Sequence, residues 1–254
     1  MATAVRYAGF FSASADGIYT FSLDAPHDAQ LILGGSHLIC LTSEPHAAAA
    51  EIGLRKGLHE LTIDALVPVS NAHFTASVTL PGGATRALSN DLVYRPALPA
   101  VSHGRLEAEK MLLSGDFAVH GNGICSEGSM VELEGNTHGD ALCRFTGDHG
   151  LYDITTAYFD ENDGVTRMTV FTNGSSVYEW NWDGTFGSGG GNAQSYTQHT
   201  FSVELATSNI LRFSATPING WEPGRFDYID LDGPIPEPSA FLPAALLLAH
   251  FLAR

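Results

Sequence analysis

Asp16-Gly17-Ile18-Tyr19-Thr20-Phe21-Ser22-Leu23 opens on a turn dipeptide and then alternates, placing Tyr19, Phe21 and Leu23 on one face of a strand and Thr20 and Ser22 on the other. A face of that kind must be covered by a second sheet. Outward from it, further short apolar runs predict strands at 30–33, 50–54, 59–66 and 73–80, cut by Gly34-Gly35, Lys56-Gly57 and Pro81-Gly82-Gly83. This regular spacing of short strands points to a sandwich rather than a helical repeat. Across all 254 residues, 27 glycines and 12 prolines keep the apolar runs short, while a 44% apolar share suffices for real cores.

Pro96-Ala97-Leu98-Pro99-Ala100 reads as a connector, since two prolines so close favour an extended link over a regular element. Beyond it, strands are predicted at 104–109, 129–133, 150–158, 167–172, 176–180, 198–205, 209–215 and 225–231, with Asn173-Gly174 as a hairpin turn. A count near eight suits a jelly roll. The reading is therefore all-β: two β-sandwich, jelly-roll-like domains at 1–96 and 102–233, a linker at 97–101, and a tail at 234–254 with a short apolar helix.

The net charge of −16 disfavours nucleic acid as a partner. It is also uneven: residues 1–99 carry 8 acids and 5 bases (−3), whereas 100–233 carry 19 acids and 6 bases (−13). The second domain is thus the place to expect a divalent cation. Cys40, Cys125 and Cys143 have no metal-type spacing; Cys125 and Cys143 can pair or stay as buried thiols. The run Gly184 to Asn192 lacks the Lys-Ser/Thr of a phosphate loop and reads as a sandwich loop. No nucleophile elbow, zincin helix or His/Cys cluster occurs, so the chain is expected to be non-catalytic.

Glu107 and Glu109 stand two apart on a predicted strand, so their carboxylates share a face and can converge on a hard cation. Sugar rings stack on flat apolar surfaces beside fixed polar groups. Trp221, in Asn219-Gly220-Trp221-Glu222-Pro223, is the leading platform because a Gly- and Pro-bounded turn is a poor place to bury an indole. Trp180 and Trp182 share a strand face, and Tyr158 and Tyr178 are further candidates; for all of these the competing role is core packing.

Three resemblances extend this reading. Tyr7-Ala8-Gly9-Phe10, Asp16 to Leu23, Leu31 to Gly35 and Leu54 to His59 resemble the protective-antigen domain of bacterial toxins, glycosidases and yeast adhesins. The calcium-binding aspartate pair of its adhesive members is replaced here by Pro26-His27-Asp28-Ala29, which implies a spacer. Leu106 to Glu109, Ser126 to Val131, Gly150 to Ile154, Asn173-Gly174 and Phe226 to Ile229 resemble carbohydrate-binding modules of families six and thirty-five. That resemblance implies a structural calcium held by Glu107, Glu109 and Asp227. Where many sugar-binding members have asparagine, Arg225 stands two residues before Asp227, which points to an acidic glycan.

Finally, Pro236-Glu237-Pro238, the apolar stretch 241–253 and Arg254 resemble a PEP-CTERM sorting signal. It implies export, processing by an exosortase, transient membrane contact through the tail, and residence at the cell surface, outer membrane or extracellular matrix. Met1 to Arg6 carries neither the basic region nor the apolar core of an export signal, so an upstream start or segment is expected. The expected function is non-catalytic carbohydrate binding. The alternatives are a structural or adhesive matrix protein, or the accessory tail of a polysaccharide-degrading enzyme.

Overall fold

The computed structural model describes residues 2–42, 46–68, 74–89, 91–135, 137–187 and 189–235. The expected apolar tail helix and the Pro236-Glu237-Pro238 tripeptide lie outside the described residues.

The first domain contains β1 (Ala2–Ala13), β2 (Gly17–Asp24), β3 (Ala29–Leu33), β4 (Ser36–Leu41), β5 (Ala47–Leu54), β6 (Gly57–Pro68), β7 (Thr75–Thr79), β8 (Thr85–Ala87) and β9 (Val93–Tyr94). One sheet runs β4-β3-β6-β1-β9 and the other β5-β2-β7-β8. The alternation of β2 does what its sequence requires. Tyr19, Phe21 and Leu23 are buried against Leu31, Leu61 and Ile63 of the facing sheet, with Phe11 edge-on to Tyr19 at 5.5 Å and to Phe21 at 5.0 Å.

The second domain comprises β10 (Ala100–Val101), β11 (Gly104–Glu107), β12 (Leu112–Gly115), β13 (Phe117–Gly121), β14 (Ser129–Leu133), β15 (Gly139–Phe145), β16 (Gly150–Phe159), β17 (Gly164–Thr172), β18 (Ser175–Trp182), β19 (Tyr196–Leu205), β20 (Ile210–Gly220) and β21 (Phe226–Ile235). Its sheets run β10-β15-β20-β17-β18, with β12 on β15, and β13-β14-β21-β16-β19, with β11 on β21. Asn173 and Gly174 both take positive φ (49° and 81°), the conformation a tight hairpin turn demands. β11 and the last strand, β21, are neighbours, with Glu107 opposite Tyr228. The three cysteines are free thiols, which settles the choice between pairing and burial for Cys125 and Cys143.

The expected linker at 97–101 is not a free tether. Its end is β10, which joins β15 in parallel, and the Pro99 carbonyl accepts the Arg144 N–H at 2.8 Å. The domains are also docked on each other. Phe10 and Leu58 of the first meet Leu142, Leu112 and Ile210 of the second, and the Gly34-Gly35 turn packs against Asn173-Gly174. A Cβ on Gly174 would lie 2.5 Å from the Gly34 carbonyl carbon, so glycine is required there on steric grounds as well as by its φ.

Candidate functional site

The expected strand through both Glu107 and Glu109 stops at Glu107. Glu109 lies instead in a single 3-10 turn, Ala108–Lys110, so the shared strand face is a correction to the sequence reading. The three acids are near enough for their charges to act on one another, but they are not among the described acidic sets whose carboxylate oxygens all lie within 4.8 Å. Asp227 (0% exposed) comes from β21, Glu107 (5%) from the adjacent β11, and each of the three carboxylates keeps one buried oxygen without a hydrogen-bond partner: Glu107 Oε2, Glu109 Oε2 and Asp227 Oδ1. Their other contacts are few. Ser126 Oγ donates to Glu107 Oε1 at 2.9 Å, and the Ser126 N–H (3.0 Å) and Tyr196 hydroxyl (2.5 Å) donate to Asp227 Oδ2.

Burial raises all three carboxyls above their ordinary values; the charge of Asp227 adds to this at Glu107 and Glu109. A hard cation would supply the counter-charge that three orphaned carboxylate oxygens lack, so the donor chemistry fits calcium, while the tight convergence of oxygens is found in another set of acids.

A second set of acids escaped the sequence reading. Glu161 and Asp163 sit in the β16–β17 connection and Glu222 in the β20–β21 connection; one carboxylate oxygen of each lies within 4.8 Å of the others. They are about sixty positions apart in the chain and have no motif spacing. The run Asp160-Glu161-Asn162-Asp163 directly after an apolar strand was the available signal.

The sugar-stacking candidates divide sharply. Trp221 is 76% exposed, while its neighbour Glu222 points inward at 1%. The Trp221 N–H donates to the Asp163 carbonyl at 2.8 Å and the Thr166 hydroxyl to the Glu222 carbonyl at 2.7 Å, which holds the loop in place. Beside the indole lies a groove of about 550 Å³ lined by His120, Glu132, Leu133, Glu134, Glu222 and Pro223.

Trp182 and Tyr158 are corrections: Trp182 is 0% exposed and stacks on buried Tyr158 at 4.6 Å, so neither ring can meet a ligand. Trp180 shares the face of Trp182 as expected, but that face is the core face. It is half-buried and stacked on His199 at 4.8 Å, and Tyr178 is stacked on Phe201 at 4.4 Å.

Arg225 is a correction too. It was expected to be free for an acidic glycan, yet its side chain is only 12% exposed and bonds Glu161 at 2.5 Å and Glu132 at 3.0 Å. Its charge is already spent on internal carboxylates, and the groove beside Trp221 is itself lined with acids, which repel a uronate.

No family model matches the sequence, and no curated protein matches it. Among solved structures, the chain is similar to a family 35 carbohydrate binding module from Clostridium thermocellum, with 16% identity over 52% of this chain and 98% of that one and a TM-score of 0.43. It is similar to the CBM36-1 domain of a multidomain xylanase from the hindgut metagenome of Trinervitermes trinervoides, at 20% identity over 52% and 98% with a TM-score of 0.42. An exo-beta-1,3-galactanase from Phanerochaete chrysosporium matches at 15% identity over 68% of this chain and 38% of that one, with a TM-score of 0.41. Similarity of this degree assigns the chain neither a family nor a ligand.

Proposed function

We propose that the protein binds a neutral polysaccharide without transforming it, through the groove beside Trp221. The observation that carries this reading is an indole left 76% exposed on a loop whose backbone is tied down at both ends, next to a groove with carboxylate and imidazole groups on its walls. A rigid, wet, flat apolar surface is what the C–H face of a pyranose ring requires, and the surrounding acceptors suit its hydroxyls. The acids of this groove favour a neutral glycan over the acidic one that Arg225 suggested.

Glu107, Glu109 and Asp227 would hold a calcium ion that neutralises their buried charge and fixes β11 against β21. The chain's own hydrogen bonds from Ser126 and Tyr196 orient Asp227 for that role. Display at the cell surface is proposed from the tail sequence, and fractionation of cells carrying the full chain checks it.

Affinity electrophoresis of the full chain through gels containing xylan, glucan, galactan or pectin tests the binding. Retardation by at least one neutral polymer, abolished in Trp221→Ala and kept in Trp180→Phe, is the expected result; equal migration in all gels refutes the proposal.

A further inference from the structure

We infer that Glu161, Asp163 and Glu222 form a binding site for a calcium-class divalent cation, which cross-links the β16–β17 and β20–β21 loops immediately beneath Trp221. The geometry comes first. One carboxylate oxygen from each residue lies within 4.8 Å of the others, the span expected when three ligands share a single ion. Glu161 and Glu222 are 0% and 1% exposed, and each keeps a buried oxygen with no hydrogen-bond partner, Glu161 Oε2 and Glu222 Oε1. Asp163 is exposed and leaves one side of the cluster open to water, which a cation of six to eight ligands needs to complete its shell.

The rest of the hydrogen bonding shows which oxygens remain for an ion. Arg225 Nη1 and the Gly191 N–H both donate to Glu161 Oε1, and the Glu161 N–H donates to Glu222 Oε2 at 2.9 Å. The opposite oxygens of both carboxylates are therefore the free ones. Gly189 walls the same space: a Cβ there would come 2.8 Å from Asp163 Oδ2 and 3.9 Å from Glu161 Oε2. Three carboxylates against one guanidinium, itself shared with Glu132, leave a local excess of negative charge in a largely dry place. An all-carboxylate donor set selects a hard ion such as calcium over softer transition metals.

This site is distinct from the Glu107, Glu109 and Asp227 set, and it does not depend on the sugar reading, because its readout is the cation alone. The test is calorimetric titration of the chelator-stripped full chain with calcium chloride, in wild type, Asp163→Asn, Glu222→Gln and Glu107→Gln. Asp163 is exposed, so its substitution leaves the fold intact, which a matching calcium-free melting temperature verifies. The expected result is a binding event in wild type that persists in Glu107→Gln and weakens at least tenfold in both Asp163→Asn and Glu222→Gln. An unchanged titration in either of those two variants, or no calcium binding by wild type, overturns the inference.

Discussion

The two sandwiches bury the same kinds of apolar side chain but differ in what else they bury. In the first, the buried side chains of the described part are apolar, Phe11, Tyr19, Phe21, Leu31 and Ile63 being typical, and Glu60 is part-buried at the seam. In the second, Glu107, Asp140, Asp160, Glu161, Glu222 and Asp227 are buried as well, and four of these six belong to the two carboxylate clusters. Burying carboxylates costs stability unless something compensates it. The contrast marks the second sandwich as the place where buried charge calls for a counter-charge.

Deleting a core ring in the first sandwich is the strongest way to probe that contrast. Phe21→Ala is expected to destabilise the chain by about 3–5 kcal/mol in thermal melts while leaving calcium affinity unchanged below the transition. A lowered calcium affinity would show that the first sandwich shapes the cation sites and would erase the distinction.

A smaller effect is expected from Asp227→Asn. Wild type should gain about 2.7 kcal/mol more than the variant on moving from chelator to calcium at one hundred times its dissociation constant, read as a shift in melting temperature. Equal gains would remove Asp227 from the cation's shell.

The smallest effect concerns the seam between the sandwiches, where Glu60 accepts the Gly174 N–H across the boundary. Burial pushes its carboxyl up to about 7, against the pull of Arg212 and of that hydrogen bond. An acid raised on folding binds its proton more tightly in the native state, so its penalty is absent below about 4.5, grows between about 4.5 and 7 and is complete above that. Glu60→Gln should therefore melt with wild type at pH 4 and above it at pH 8, by on the order of 1 kcal/mol or a few degrees. A gain confined to pH 4 would reverse the sign.

That seam also explains which strands were legible in the sequence. β2 alternates because one face meets the core and the other meets water. β15 does not: Ala141 and Cys143 face the second core while Leu142 faces the first sandwich, so Gly139–Phe145 is buried at all but Arg144 and shows no period of two. β1 and β12 fail for the same reason, with Phe10 and Leu112 turned to the seam and Phe11 and Leu113 to their own cores. At the site, Trp221 was legible because Gly220 and Pro223 fix a turn. Trp180 and Trp182 were legible as sharing a face, but alternation cannot say whether that face is inner or outer. Glu161, Asp163 and Glu222 come together only through the pairing of β17 with β20, which the linear sequence does not display.

Intrinsic fluorescence is the most direct measurement of the central claim, because of the chain's three tryptophans Trp182 is buried, Trp180 half-buried and Trp221 in water. Titrating the calcium-loaded full chain with the polysaccharide that retards it should shift the emission to shorter wavelength in wild type and leave Trp221→Ala unmoved. A shift that survives Trp221→Ala would place the ligand elsewhere and contradict the account.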